Sequence, residues 1–335
     1  MCSGKDELLI SRSRQSIDRE YFNYMESLDI IKQLELFGER QGPVLLELEN
    51  YICEYLDSRR IKYLKERFIA EIPSCHALLH ADDISIECRG VSFNSGEINS
   101  KAHILSSTIS SRLNFETPNI NFNPFCEEIS AANFYKAPAI AISKQMLPFI
   151  LGAKAITGQV RVMKIRTDLA HILVGNTANP KKIIFAHYDS ISIGAMDNAS
   201  GVAVCLNLIT KYPNLLVNCL FVFDPNEELS YDEPCYWGHG FRVFQERHRD
   251  LFDNAELLLP VDCIGNGPAQ VDRSRDILRL AFPITEFDTY VGKMLTIYGD
   301  INGLMSVYHS PLDISATLQQ YFLDDAREKL HNLLT

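Results

Sequence analysis

Lys182-Ile-Ile-Phe-Ala-His187-Tyr-Asp189, with Asp197-Asn-Ala-Ser-Gly201 eight residues beyond Asp189, is the stretch that decides how this chain folds. Its first half is a short apolar run of strand length that ends on a histidine. Its second half leads into Val202-Ala-Val-Cys-Leu-Asn-Leu-Ile, an apolar run of helical length. A strand, a loop bearing carboxylates and a helix is the repeating unit of an α/β sheet. Three more apolar runs have the same shape. Val217-Asn-Cys-Leu-Phe-Val-Phe223 runs into Asn226-Glu227-Glu228, and Glu256-Leu-Leu-Leu-Pro-Val ends on Asp262. Met294-Leu-Thr-Ile-Tyr298 is followed, eleven residues after Tyr298, by His309-Ser-Pro-Leu-Asp313. Open α/β sheets bind ligands beyond the carboxyl ends of their strands. Ionisable groups recurring at that place imply one site assembled from distant segments.

Working outward, residues 166–335 alternate strands and helices. Strands are expected at 169–174, 182–187, 217–223, 256–262, 276–282 and 294–298, and helices at 198–211, 239–251 and 316–334. This reads as a three-layer α/β core with a mixed, largely parallel sheet. Residues 16–70 read as helical: Leu28, Ile31 and Leu34 precede a Gly38-Glu-Arg-Gln-Gly-Pro43 break, and a second run carries Leu45, Leu48, Ile52 and Tyr55 at helical spacing. The break reads as a turn between two helices. Residues 71–165 form a different kind of sequence, with short alternating segments such as Ile84-Ser-Ile-Glu-Cys separated by Gly, Asn and Ser turns. A loop at 114–124, a helix from Glu127, a strand at 139–142, a helix near 145–155 and a strand at 159–165 complete it. The expected organisation is N-terminal helices over 1–70, a small inserted β-rich subdomain over 71–165 and the core over 166–335.

The whole chain bounds the function. Its 335 residues suffice for one large or two moderate domains. Apolar residues make up 46% and charged residues 22%, as in ordinary soluble proteins. No apolar run approaches the ~20 residues of a membrane span, and Met1-Cys-Ser-Gly-Lys-Asp-Glu lacks an apolar stretch of signal length, so a cytoplasmic protein is expected. A net charge of −11 argues against nucleic acid or an anionic membrane as partner. The nine cysteines include no CxxC pair and suit free thiols in a reducing compartment.

Taken singly, each motif has an ordinary explanation. An HxD tripeptide such as His187-Tyr-Asp189 is common, Asp197 suits a helix N-cap, and Glu227-Glu228 suits a solvated acidic loop beside Asp224, Asp232 and Glu233. Asp262 suits a strand-end loop, and His309 a hydrogen-bonded structural histidine. The chemical alternatives are specific, however. A metal-bound imidazole usually donates its other N–H to a carboxylate, the role open to Asp189. Asp197 on a tight turn would serve two cations with its two oxygens. Of two adjacent carboxylates, one would bind metal while the other takes a proton from the attacking water. Two histidines, three carboxylates and a spare glutamate suit two divalent ions, with zinc favoured and manganese or cobalt compatible.

In this order the motifs resemble the co-catalytic di-zinc aminopeptidases, metallopeptidase family twenty-eight, whose relatives include glutamate carboxypeptidases and glutaminyl cyclases. The resemblance rests on His187-Tyr-Asp189-Ser, Asp197-Asn-Ala-Ser-Gly201, Glu227-Glu228, Val261-Asp262 and Tyr308-His309-Ser-Pro-Leu-Asp313, and spans roughly 166–335. It implies a zinc-exopeptidase fold with two zinc ions per chain. His187 and Asp262 would hold one ion, Glu228 and His309 the other, and Asp197 both. Glu227 would be the general base and Asp189 would orient His187. Peptides cleaved at the N-terminal bond would be the substrates. A carboxypeptidase, a glutaminyl cyclase relative and a non-catalytic scaffold are the alternatives, and a homo-oligomer is compatible with all of them. The segment 71–165 sits where some relatives carry a protease-associated domain. After the Glu pair the sequence departs from the family's usual short Gly-rich run: Leu229 to Gly240 is longer and contains the only tryptophan, Trp237, expected to line a specificity pocket.

Overall fold

A computed structural model describes residues 25–101, 103–108 and 115–335; the helix expected from residue 16 to 24, Ala102 and Asn114 lie outside them. The strands are β1 (Tyr63–Ala81), β2 (Ile84–Ile86), β3 (Arg89–Gly90), β4 (Gly96–Ile98), β5 (Ile104–Ser106), β6 (Asn119–Phe122), β7 (Ala139–Ile142), β8 (Ile156–Gly175), β9 (Lys182–His187), β10 (Cys219–Asp224), β11 (Leu257–Pro260), β12 (Gln270–Asp272) and β13 (Thr296–Tyr298). The helices are α1 (Ser27–Glu35), α2 (Val44–Ser58), α3 (Leu147–Gly152), α4 (Ser200–Lys211), α5 (His239–Arg247), α6 (Arg249–Asn254), α7 (Arg275–Ala281), α8 (Phe287–Tyr290), α9 (Ile301–Met305) and α10 (Gln320–Leu334).

The main sheet runs β11-β9-β10-β8-β1-β2, with β4 also on β8. β9, β10 and β11 pair in parallel, and single parallel bridges tie β13 beside β11. β8 runs antiparallel to β10, so the sheet is mixed, with its parallel part in the core. Central strands covered on both faces read as continuous apolar runs, and all six residues of β10 are buried. Alternation then assigns the faces. Ile184 and Ala186 of β9, with Phe221 and Phe223 of β10, pack under α1, α2, α4 and α10. Ile183 and Phe185, with Leu220 and Val222, pack against Phe241, Phe244, Phe252 and Phe282 on the opposite side. Two apolar clusters separated by one sheet are the three layers expected.

Three element readings change. Residues 63–70 are strand, because Phe68, Ala70 and Ile72 alternate inward while Arg67 and Ile69 face out, and the pairing with β8 is unbroken from Tyr63 to Ala81. Both strands therefore pass without interruption from the core into the segment beyond residue 71. Residues 276–282, expected as a strand, lie mostly in α7: Leu278 and Phe282 are buried four residues apart, the spacing of one helical face. No helix starts at Glu127. That stretch sends its backbone groups to distant partners instead: Ala131 N donates to the His309 carbonyl at 3.0 Å and Tyr135 N to Val91 at 3.0 Å.

The distal ends of β1 and β8 pack Leu79, Ile156 and Val160 against Ile120, Ile140 and Ile142 of a second sheet, ordered β3-β7-β6-β5. A further cluster joins Val91, Phe93, Phe134 and Tyr135 to Ile191 and Leu229 from the core loops. No helix among the described residues is long and apolar enough to cross a membrane.

Candidate metal centre

The parallel register places the site. His187 ends β9 directly beside Asp224, which ends β10. Glu227 and Glu228 follow on the turn after β10, and Asp262 lies just past β11. Asp197 stands between β9 and α4 in an irregular turn, and His309 follows α9. Asp197 is not an N-cap: its side chain makes no cap bond to α4 and faces both histidines.

The residues form two groups that share Asp197. His187, Asp197 and Asp262 offer ligand atoms within 4.8 Å of one another, as do Asp197, Glu228 and His309. His187 Nε2 is 3.3 Å from Asp197 Oδ1 and 3.4 Å from Asp262 Oδ1. His309 Nε2 is 3.3 Å from Asp197 Oδ2 and 2.9 Å from Glu228 Oε2. The two oxygens of one carboxylate thus face the two imidazoles. Asp189 Oδ1 lies 3.3 Å from His187 Nδ1 and also accepts from Glu227 N at 3.0 Å, while Oδ2 accepts from Glu228 N at 3.0 Å. One buried carboxylate therefore sets both the histidine and the Glu pair. Glu227 belongs to neither group, and its side chain lines the cavity.

The donor set fits divalent cations. His187 Nε2, His309 Nε2 and Asp262 Oδ1 are buried yet without a hydrogen-bond partner, and both Nδ1 atoms face acceptors. Buried polar atoms are otherwise paired almost without exception, so orphans converging on shared carboxylates mark a place for a cation. The electrostatics agree. Burial opposes the charge of His187, but Asp262, with Asp189 and Asp197, holds the imidazole well above its usual range. Glu228 and Asp197 do the same for His309 against the same opposition. Burial would raise Asp197, yet the two histidines bring its carboxyl below the ordinary range. Glu228 is pushed up to about 7 by burial and by Asp197, against the pull of His309. Glu227 is raised well above the ordinary range by burial first, then, against the pull of His187, by Glu228, Asp262 and Asp189.

Several supporting residues escaped sequence reading. Arg40, in the turn after α1, is fully buried and donates to the carbonyls of Tyr188 at 2.8 Å, Ile193 at 2.5 Å and Gly194 at 2.8 Å. It clamps the loop that carries Asp189 toward Asp197. Gln41 beside it donates to Asp189 Oδ2 at 3.3 Å. Asp313 accepts from Met196 N at 2.7 Å and Asp197 N at 3.1 Å, fixing the turn that presents Asp197. Asn198 donates to the Val261 carbonyl at 2.8 Å and accepts from Gly201 N at 2.9 Å, tying α4 to the β11 loop. A Cβ at Gly201 would collide with both partners, which is why the helix needs glycine there. The only available signal for Arg40 was a charge inside a Gly-rich turn, and nothing in sequence marks such a charge as buried.

The two groups open into a cavity of about 1050 Å³. Its walls include Trp237 and Tyr236 from the lengthened loop, Phe93, Phe115 and Phe134 from residues 71–165, and Ile277 and Leu280 of α7.

A mixed α/β sheet with paired imidazole–carboxylate groups at its carboxyl edge defines a zinc-exopeptidase fold. Residues 169–276 match the model of Peptidase family M28. The chain is similar in fold to a zinc aminopeptidase from Bacillus subtilis, with 14% identity, a TM-score of 0.65, and 91% of this chain and 92% of that one covered. It is likewise similar to an aminopeptidase from Aneurinibacillus sp. strain AM-1, with 16% identity, a TM-score of 0.59, and 93% and 92% covered. A Peptidase M28 precursor from Shewanella amazonensis SB2B gives 14% identity, a TM-score of 0.64, and 94% and 95% covered. No curated protein sequence matches the chain.

Proposed function

We propose that the chain is a two-zinc exopeptidase that releases the N-terminal residue of peptides. The observation that carries this reading is the sharing of Asp197 between two groups whose imidazole Nε2 atoms are buried without a hydrogen bond. His187 and Asp262 would hold one zinc ion, Glu228 and His309 the other, and Asp197 both; manganese or cobalt would also suit these ligands. Bound there, the ions would supply a nucleophile at neutral pH and polarise the substrate carbonyl. Asp189 keeps the proton of His187 on Nδ1 and leaves Nε2 free. Glu227, facing the cavity with a raised carboxyl affinity for protons, accepts the proton of the attacking water and returns it to the leaving amine. Burial of the site restricts competing water.

Among the described residues, charge around the cavity supports recognition of an amine rather than a carboxylate. A carboxypeptidase needs a free cation, and Arg242 is the nearest after the Glu loop. Its guanidinium is already committed to Asp232 at 2.8 Å, to the carbonyls of Trp237 and Pro283 at 2.8 Å and to Cys235 at 2.9 Å. Arg249 is paired with Glu286, Arg247 with the Arg67 carbonyl, and Lys136 at the cavity with Glu233. The carboxylates suit an α-ammonium group. The same fold serves a glutaminyl cyclase from Fimbriiglobus ruber, at 9% identity and a TM-score of 0.50. Two complete groups around Asp197 favour hydrolysis over that reading. The eight described cysteines are free, which suits the reducing conditions of a cytoplasmic enzyme.

Elemental analysis of purified protein with a panel of aminoacyl amides and N-blocked peptides tests the proposal. About two zinc ions per chain and cleavage confined to free-amine substrates are expected. Cleavage confined to free-carboxylate substrates would move the protein to the carboxypeptidases. Bound metal without turnover, or no metal at all, would overturn the enzymatic reading.

A further inference from the structure

The two candidate ion positions are supported from different parts of the chain. His187 is oriented from within the core, by Asp189 two residues away, at 3.3 Å from Nδ1 to both the carboxylate and the backbone oxygen. His309 has no carboxylate at Nδ1. Its Nδ1–H donates to the carbonyl of Ala131 at 3.0 Å, and Ala131 N donates back to the His309 carbonyl at 3.0 Å. Two more buried side chains brace the same loop. Asn123, which follows β6, donates through Nδ2 to the Met305 carbonyl at 3.1 Å and to Ser130 Oγ at 3.1 Å. Ser130 Oγ in turn donates to the Tyr308 carbonyl at 2.7 Å. Asn123, Ser130 and Ala131 are at most 1% exposed. His309 itself has a positive φ of 49°, which a non-glycine residue holds only when its surroundings enforce it.

The geometry points to Asn123 and Ser130 as positioning residues for His309, so that cation binding at the His309–Glu228 position depends on the segment 123–131 while binding at the His187–Asp262 position does not. The chain of bonds is continuous. Asn123 orders Ser130, Ser130 holds the peptide before His309, and Ala131 fixes the imidazole so that Nε2 meets Asp197 and Glu228. Partners that orient a ligating histidine typically govern metal affinity by roughly 10- to 100-fold. This inference rests on the two-ion reading of the site. It concerns binding alone, so it stands or falls separately from peptide cleavage.

The test uses the full chain, stripped of metal and titrated calorimetrically with zinc chloride. In an Asp262→Asn background the His309–Glu228 position is the intact one, and adding Ser130→Ala should weaken zinc binding there by roughly 10- to 100-fold. In a Glu228→Gln background, where the His187–Asp262 position is intact, the same change should leave affinity within about 2-fold, far below that range. Ser130→Thr, which keeps the hydroxyl, should restore binding. Thermal unfolding of each metal-free variant separates a local effect from misfolding. If Asn123→Ala does not fold, the Ser130 pair still decides the matter. Equal weakening in both backgrounds, or none in either, would overturn the assignment. Failure of either background to bind zinc would instead refute the two-ion reading beneath it.

Discussion

Replacing Glu227 with Gln separates catalysis from construction at this site. The substitution is isosteric and leaves the backbone bond from residue 227 to Asp189 in place. Neither ligand group includes Glu227, so metal content should stay at the wild-type value. The lost function is proton transfer, which contributes about 100- to 10,000-fold, or roughly 2.7 to 5.4 kcal/mol of barrier at about 1.36 kcal/mol per decade. Stability gives an independent readout. Burial and the neighbouring carboxylates raise the folded pKa of Glu227 above its unfolded value of about 4.3. The folded state therefore binds the extra proton, and this contribution is fully present below about pH 4 and lost as pH rises through the folded value. Gln carries no such loss. The metal-free variant should be more stable than the metal-free wild type at pH 8, with the difference shrinking toward pH 4. The assays are steady-state turnover of an aminoacyl amide, zinc analysis and denaturant unfolding of chelated protein at several pH values. Turnover within about 3-fold of wild type, with zinc retained, would refute a general-base role, which is worth at least about 100-fold.

Asp197→Asn should lower zinc retention at both positions, because one carboxylate faces both imidazoles; dialysis followed by elemental analysis reads this directly, and loss of a single ion would contradict the sharing. Arg40→Met removes the guanidinium bonds to three carbonyls and should cost roughly 1–3 kcal/mol for each one left without another donor, read in denaturant unfolding, with Arg40→Lys a poor rescue because an ammonium lacks the planar fork. Trp237→Ala should change the ranking of substrates by N-terminal side chain, since Trp237 lines the cavity; an unchanged ranking across a panel of aminoacyl amides would remove it from the specificity pocket.

Sequence sufficed where signals were local. The apolar runs ending at His187, Phe223 and Val261 announced parallel strands, because strands covered on both faces must be apolar throughout. The strand expected at 276–282 is mostly helix, since Leu278 and Phe282 answer to a helical face that only packing against Phe252 and Phe185 selects. The stretch from Glu127 has helical composition, but the His309 loop takes its hydrogen bonds, and no local rule anticipates a partner 178 residues away.

The sequence by itself determined the kinds of group at the centre and their order: His187, Asp197, the Glu227–Glu228 pair, Asp262 and His309 all follow apolar segments whose ends must meet at one edge of a sheet. Tertiary structure alone decided how they are held. Arg40 is buried because three carbonyls converge on it, Asp189 serves a histidine and two backbone amides at once, and His309 takes its orientation from Ala131. These bonds join segments remote in sequence, and their energy comes from burial and geometry that exist only after the chain has folded.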